Sequence, residues 1–216
     1  PKNSTVEISE HPIFIESIEH IRSKIGCTGL DQVHQSILER IIHASGDLRI
    51  QSLLRFSPRA CDDAIGALRK GAKILTDTRM AEVAVSSMAK RTLNSDVQCI
   101  LDMRSKFADL TSTTRSAVAM RTAWLDLEKK DDLLEAPIVV IGSAPTALMT
   151  LLDLTEQGSK KPSLIIGMPV GFIGVSESKA RLLNSDIPHI VLDSSKGGAS
   201  LAAATMNALL KAAVSA

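Results

Sequence analysis

Short apolar runs and longer amphipathic stretches alternate along the last two thirds of the chain. The runs are rich in β-branched residues and predict five strands: Lys73–Asp77, Val97–Leu101, Pro137–Gly142, Ser163–Gly167 and His189–Asp193. The stretches with helical spacing predict the helices Arg79–Ala89, Thr113–Lys130, Pro145–Gln157, Ser176–Asn184 and Ala199–Val214. Alternation of strands and helices is typical of a parallel sheet covered by helices. The pattern therefore predicts an α/β fold with three layers, α/β/α, around a mostly parallel sheet of about five strands.

The first third of the chain has a different pattern and predicts two consecutive helices. Pro12–Ile25 and Asp31–Ser45 show helical spacing, and Cys27–Gly29 is the turn between them. Gly46 follows the second helix and is a typical helix stop. Because the chain contains no internal repeat and no low-complexity linker, we expect residues 1–216 to form a single domain, with the two N-terminal helices at about 12–45.

A short segment connects these helices to the alternating part. Leu48–Phe56 is compatible with an additional strand. The Ser57-Pro58 pair is typical of a helix start, with serine as the N-cap and proline in the first turn. We expect that helix to end at about Lys70.

Composition and charge exclude several classes of protein. Lys+Arg number 25 and Asp+Glu 24, so no strongly basic surface is expected, and four Phe, one Trp and no Tyr are too few to stack nucleotide bases. We therefore expect no nucleic-acid partner. The apolar runs end well before the roughly 20 residues needed to cross a bilayer, which predicts no membrane span. A polar N-terminus containing Glu7 and Glu10, together with an odd number of cysteines, favours a cytoplasmic protein.

Arg40, His43 and Asp47 form the first candidate site. Arg40 precedes His43 by three residues on one helical face, and Asp47 follows four residues later, so a cation, an imidazole and a carboxylate are expected to converge. A histidine held in this way can donate or accept a proton near neutral pH. The alternative is a histidine at a helix end whose hydrogen bonds are purely structural.

Four other segments have the composition of anion or ligand sites. Thr113–Ser116 places hydroxyls and Arg115 at the start of a helix, which suits a carboxylate or phosphate but equally an ordinary N-cap with a surface arginine. Gly142–Thr146 leads from a strand into a helix begun by proline, and its amides can bind an anion. Gly167–Gly174 can approach a flat ligand closely. Lys196–Gly198 can form an anion nest or a plain surface turn.

Taken together, several segments resemble the precorrin-8X methylmutase family. The resemblance spans nearly the whole chain, and its most specific parts are the Pro-Val-Gly-Phe motif at 169–172 and the Glu-Ser-Lys motif at 177–179. The other segments that carry it, in chain order, are Phe56–Pro58, Asp77 with Met80, Thr113–Ser116, Ala144–Leu148, Gly197-Gly198 and Asn207–Leu209, together with Arg40–Asp47.

The resemblance implies an isomerase of corrin biosynthesis. Such an enzyme moves a methyl group from ring carbon eleven to ring carbon twelve of precorrin-8X or cobalt-precorrin-8 by a 1,5-sigmatropic shift, giving hydrogenobyrinate or cobyrinate. It implies that His43 is the catalytic residue and protonates a ring nitrogen. It implies no cofactor and no metal, a homodimer, and a parallel sheet between helix layers.

The substrate is a broad macrocycle fringed with acetate and propionate groups, so we expect an apolar surface with scattered cations and backbone amides. Met168–Phe172 is expected to lie against the ring face. The predicted substrate-binding residues are Ser17, Arg40, Thr114, Arg115, Gly171, Ser178 and Lys179.

Some positions depart from the family pattern. Ser143 stands where the family usually has Asn, and Ser194–Ala199 lacks one of two basic residues that the family carries there. These departures keep open a second hypothesis, a non-catalytic relative that binds a corrinoid or another tetrapyrrole. A generic doubly wound enzyme that binds a phosphorylated ligand at Gly142–Thr146 is the third.

Overall fold

Six strands form one sheet in the computed structural model, which describes residues 10–103, 113–129 and 135–215. The strands are β1 (Leu54–Phe56), β2 (Ile74–Thr76), β3 (Val97–Cys99), β4 (Ile138–Ile141), β5 (Leu164–Gly167) and β6 (His189–Leu192). The helices are α1 (Pro12–Ile25), α2 (Gln32–Ser45), α3 (Ile50–Leu53), α4 (Ala60–Arg69), α5 (Arg79–Arg91), α6 (Arg115–Glu128), α7 (Pro145–Glu156), α8 (Val175–Leu183) and α9 (Ala199–Ser215).

The strand order is β1-β6-β5-β4-β2-β3, and β1 alone runs antiparallel to its neighbour. The direction of winding reverses between β2 and β4, which lie side by side although the chain visits β3 between them. In open parallel sheets a ligand crevice forms beyond the carboxyl ends of the strands at such a switch point. The topology therefore predicts a ligand crevice at the loops that follow β2 and β4. The loops that follow the parallel strands β5 and β6 lie along the same edge of the sheet.

Both faces of the sheet are covered, which explains why its parallel strands are apolar at consecutive positions. Along β4, Ile138 and Val140 belong to the core shared with α2, α4, α5 and α9, whereas Val139 and Ile141 belong to the core shared with α6 and α7. Side chains alternate between the faces of a strand, so one run of branched residues supplies both cores. The predicted three-layer α/β/α fold is confirmed.

Local signals set the ends of the N-terminal helices. The carboxylate of Asp31 accepts hydrogen bonds from the amides of Val33 and His34 at 3.0 and 2.9 Å, and so caps α2. Gly46 ends α2 in the left-handed region, with a φ of 65°, and its amide bonds to the carbonyl of Ile42. The predicted boundaries of this helix pair are correct to within one residue.

Two details of the prediction are wrong. The sheet has six strands where about five were expected, because Leu48–Phe56 divides into α3 and the edge strand β1. Ser57 does not cap α4: its hydroxyl accepts a hydrogen bond from the amide of His189 at 2.8 Å and so fixes the edge of the sheet, while Arg59, with a φ of 60°, precedes the helix.

Lys130, the predicted end of α6, lies outside the described residues. Among those residues no helix is long and apolar enough to cross a bilayer.

Candidate active site

His43 lies in the last turn of α2 and is exposed, and its ring is held from one side by α1. Its Nδ1 atom is hydrogen-bonded to the Ser17 hydroxyl at 2.7 Å. The ring of Phe14 packs edge-on against the imidazole, with 4.9 Å between ring centroids. Since Nδ1 is occupied by Ser17 and Nε2 has no partner among the described residues, Nε2 is the nitrogen that faces outward. The structure therefore brings Ser17 and His43 together.

The expected convergence of Arg40, His43 and Asp47 is not observed. The guanidinium of Arg40 lies over the ring of Phe14, 4.8 Å from the ring centroid, and forms an ion pair with Glu10. Asp47 binds Arg49 and Lys196 instead of His43. Arg40 and His43 do lie three residues apart on α2, but the charged groups bind other partners: Arg40 pairs with Glu10, and Asp47 pairs with Arg49 and Lys196.

Asp47 shows how α2 is attached to the sheet. Hydrogen bonds from Arg49 and Lys196 hold the pKa of its carboxyl well below the usual range, so it is charged at neutral pH. Lys196 belongs to the loop between β6 and α9. The ion pair therefore places the C-terminal end of α2, with His43, beside a loop at the carboxyl edge of the sheet.

The loops after β4, β5 and β6 pack backbone against backbone at this edge. The amide of Gly198 donates to the carbonyl of Met168 at 2.9 Å, and the amide of Gly171 donates to the carbonyl of Ser195 at 3.0 Å. A Cβ atom on Gly197 would lie 2.1 Å from the carbonyl oxygen of Met168. Only glycine allows this approach. The amide of Gly198 is therefore already used within the protein and does not form a free anion nest.

A buried carboxylate fixes the loop after β4. Asp77 follows β2 directly, is fully buried, and its Oδ2 atom accepts hydrogen bonds from the amides of Gly142, Ser143 and Ala144 at 3.1, 2.6 and 2.8 Å. Burial raises the pKa of this carboxyl, and the three amide donors oppose that rise. The amides from which we predicted an anion site thus bind an internal anion. The signal in the sequence is an aspartate placed directly after an apolar strand.

Lys179 supports the loop after β6 from the buried side of that loop. It is only 1% exposed, and its Nζ donates to the carbonyls of Ser194 and Lys196 at 2.6 and 2.7 Å. Burial lowers its pKa to about 8. Ser178 is also buried and donates to the carbonyl of Val175 within its own helix. These placements make Lys179 a support of the loop, and the predicted contacts of Ser178 and Lys179 with substrate stay predictions.

Gly171 and Thr114 occupy positions at the same edge of the sheet. Gly171 has a φ of 135°, which favours glycine, and turns the loop after β5. Thr114 caps α6 by accepting from the amide of Ala117 at 3.2 Å, and its hydroxyl is hydrogen-bonded to that of Thr146 on α7 at 2.7 Å. Arg115, the first residue of α6, is exposed and has no ion-pair partner in the described part of the chain.

Large apolar side chains are exposed in segments that follow the strands β2 and β5. Phe172 and Ile173, in the loop after β5, are 88% and 89% exposed, and Val170 is half exposed. Met80, in the first turn of α5 after β2, is 66% exposed. Met168 is fully buried, so it cannot lie against a ligand as the prediction for Met168–Phe172 required. Grouped apolar side chains of this kind mark a binding surface.

The sequence and structure match one family of enzymes. Residues 12–212 match the family described as precorrin-8X methylmutase. The chain therefore belongs to the precorrin-8X methylmutase family, whose members are isomerases of corrin biosynthesis that move a methyl group within one molecule.

Individual members of the family are similar to this chain along most of their length. The chain is 35% identical to the cobalt-precorrin-8 methylmutase of Synechocystis, covering 93% of this chain and 95% of that protein. It is 38% identical to the precorrin-8X methylmutase of Pseudomonas aeruginosa, covering 91% and 93%. A crystal structure of the precorrin-8X methylmutase from Thermus thermophilus superposes with a TM-score of 0.81 at 32% identity, covering 94% of this chain and 98% of that one.

The lowered pKa of Lys179 predicts a specific pH dependence of stability. Its pKa is about 8 in the folded protein and close to its ordinary value of 10.5 in the unfolded chain. Between these values the unfolded chain binds more protons, so this group makes the free energy of unfolding rise with pH. We expect wild type to gain stability relative to Lys179→Met from about pH 8 to about pH 10, as measured by urea denaturation.

Lys161→Met is the matched control, because Lys161 is half exposed and paired with Asp186 at the surface. Its stability curve should run parallel to that of wild type over the same pH range. A constant difference between wild type and Lys179→Met at all pH values would show that burial does not shift this lysine.

Proposed function

We propose that this protein converts precorrin-8X or its cobalt form by moving a methyl group from ring carbon eleven to ring carbon twelve, with His43 as the proton donor. The observation that carries the proposal is the position of His43, whose Nδ1 is held by Ser17 while Nε2 faces outward. A side chain held in this way is suited to general acid catalysis. In the imidazolium form Nδ1–H donates to the Ser17 hydroxyl and Nε2–H is available to the substrate.

The proposed reaction needs no redox step and no group from outside. Proton transfer from Nε2 to a ring nitrogen withdraws electrons from the conjugated system and makes carbon twelve a better acceptor. The bond between the methyl group and carbon eleven breaks as the bond to carbon twelve forms, and the proton then returns to His43. Composition is unchanged, as an isomerisation requires. Much of the rate would come from holding the macrocycle in the reactive geometry.

The edge of the sheet offers the groups that such a macrocycle requires. Phe172, Ile173 and Val170 supply exposed apolar surface for the ring face. Arg115 supplies a cation for a carboxylate, and it lies at the positive end of α6. Arg40 supplies a second cation three residues from His43. Thr114, Gly171, Ser178 and Lys179 complete the proposed binding set, and Lys179 also supports the loop after β6.

Turnover with the two substrates tests the proposal directly. We expect purified protein to convert precorrin-8X or cobalt-precorrin-8 to a product with the methyl group shifted, which changes the conjugation and thus the visible spectrum. The relative from Synechocystis carries the cobalt name and the relative from Pseudomonas aeruginosa the metal-free name, so both substrates must be compared. Chromatography identifies the product. Absence of conversion of both substrates would contradict the proposal.

Substitution of His43 tests the assigned proton donor. We expect His43→Ala to lower kcat by about 10²-fold or more, the typical contribution of a general acid, while the dissociation constant of the product changes little. His20→Ala is the matched control, because His20 is exposed on α1 and its ring has no partner among the described residues. The control should retain wild-type turnover. Equal turnover of His43→Ala and wild type would remove His43 from the mechanism.

A non-catalytic relative that binds a corrinoid is the second candidate function. It is motivated by Ser143 and by the Ser194–Ala199 loop, both of which differ from the family pattern. The main chain of Ser143 carries the contact to Asp77, so its side chain is not needed there. A tight complex with substrate and no product, in the assay described above, would favour this candidate.

We also propose a homodimer in the cytoplasm, with the whole chain acting as one domain. The match to one family over residues 12–212 supports the single domain, and the biosynthetic role of that family supports the cytoplasm. The dimer is what the resemblance to the family implies, and the exposed Phe172 and Ile173 provide apolar surface for a second copy as well as for substrate. We expect a solution mass of about twice 23.1 kDa by light scattering after size-exclusion chromatography. A mass of a single chain at assay concentration would contradict the dimer.

A further inference from the structure

A cavity of about 450 Å³ lies between α1, α2 and the C-terminal half of α9. Apolar side chains from all three helices line it, including Phe14, Ile18, Val33 and Ala208. One wall is formed by Phe14 and Arg40, and Phe14 is also the ring that packs against His43. The cavity thus begins within one helical turn of the proposed proton donor.

Charged groups line the cavity at two ends, and they differ in how they are neutralised. At one end Glu39 is almost completely buried and accepts two hydrogen bonds from Arg22, at 2.7 and 3.0 Å, and one from Gln35 at 2.7 Å. Glu19 lies near the same arginine. This end therefore has more carboxylates than cations, and its buried carboxylate is fully bonded.

The other end contains two cations and one carboxylate. Arg40 and Lys211 both bind the same oxygen, Oε1, of Glu10. The side chain of Arg40 is only 14% exposed, and those of Lys211 and Glu10 are about a quarter exposed. Two cations that share one carboxylate retain a net positive charge, which favours a further carboxylate. Burial raises the pKa of Glu10, but Lys211 and Arg40 more than offset this and hold it below its usual value.

We propose that this end of the cavity is a binding site for one acid side chain of the tetrapyrrole, whose carboxylate replaces that of Glu10 on Arg40 and Lys211. The inference rests on the proposed function, because the ligand is the polycarboxylate macrocycle assigned above. In the free protein Glu10 satisfies the two cations, and it competes with the substrate for them. Lys211, near the end of α9, is thereby assigned a direct role in substrate recognition.

The competing role of Glu10 predicts effects of opposite sign. We expect Glu10→Gln to lower the dissociation constant of hydrogenobyrinate by about threefold, because the internal competitor loses its charge. Lys211→Met should raise that constant by about fivefold, because one of the two cations is lost. Lys211→Arg retains the charge and should bind nearly as tightly as wild type. Absorbance titration at fixed ionic strength measures all three constants.

Lys161→Met serves as the control, since it removes a lysine from a surface ion pair with Asp186. It should leave the dissociation constant unchanged. The alternative is that Glu10, Arg40 and Lys211 only attach α1 to α9. In that case Glu10→Gln and Lys211→Met will both lower the melting temperature and leave the dissociation constant unchanged, or will both raise the dissociation constant. Either result overturns the inference, whether or not the variants remain fully stable.

Turnover and binding by the wild-type protein distinguish a failure of this inference from a failure of the proposed function. Turnover by wild type combined with unchanged binding in both variants would overturn only the role of Glu10 and Lys211. If wild type neither binds hydrogenobyrinate nor converts either substrate, the proposed function fails, and the cavity site fails with it. Opposite shifts in the two variants, together with turnover by wild type, support both.

Discussion

Close contact between the backbones of three loops is the constraint on which the rest of the site depends. Gly142 and Gly197 lie where a Cβ atom would meet neighbouring backbone at 2.6 and 2.1 Å, so the loops after β4, β5 and β6 are in direct contact. Such packing leaves little freedom to the amides and carbonyls at the edge of the sheet. For an isomerisation whose rate depends on holding one methyl group over its acceptor carbon, a rigid surface is an advantage.

Two buried charges stabilise these loops without pairing with each other. Asp77 accepts from three amides of the loop after β4, and Lys179 donates to two carbonyls of the loop after β6. An uncompensated buried charge would be strongly destabilising, but backbone groups supply hydrogen bonds in place of water at Oδ2 of Asp77 and at Nζ of Lys179. Because both charges point into the protein, the loops are anchored while the outer surface stays free for apolar and cationic groups that face a ligand.

The sequence predicts the fold well because apolar periodicity decides it. The strand β4 and the helices α1 and α2 were located to within one residue by period and by end signals such as Gly46. The site was predicted less completely. His43 is recognisable from its motif, but its partners Ser17 and Phe14 lie on another helix, and no local pattern predicts that they meet. Lys179 is predicted to contact substrate from its motif, and only the fold shows that Lys179 and Asp77 are buried.

The arrangement divides the proposed chemistry between two parts of the fold. The glycine loops and the start of α6 lie at the edge of the sheet, whereas His43 and Arg40 lie on α2 and Glu10 lies just before α1. The ion pair between Asp47 and Lys196 links the two parts, and the buried residues Ile41 and Ile42 hold α2 in the core. His43 is thus exposed, yet its position is set by packed neighbours on the opposite side of its helix. This combination of exposure and support suits His43 to the proton donation proposed above.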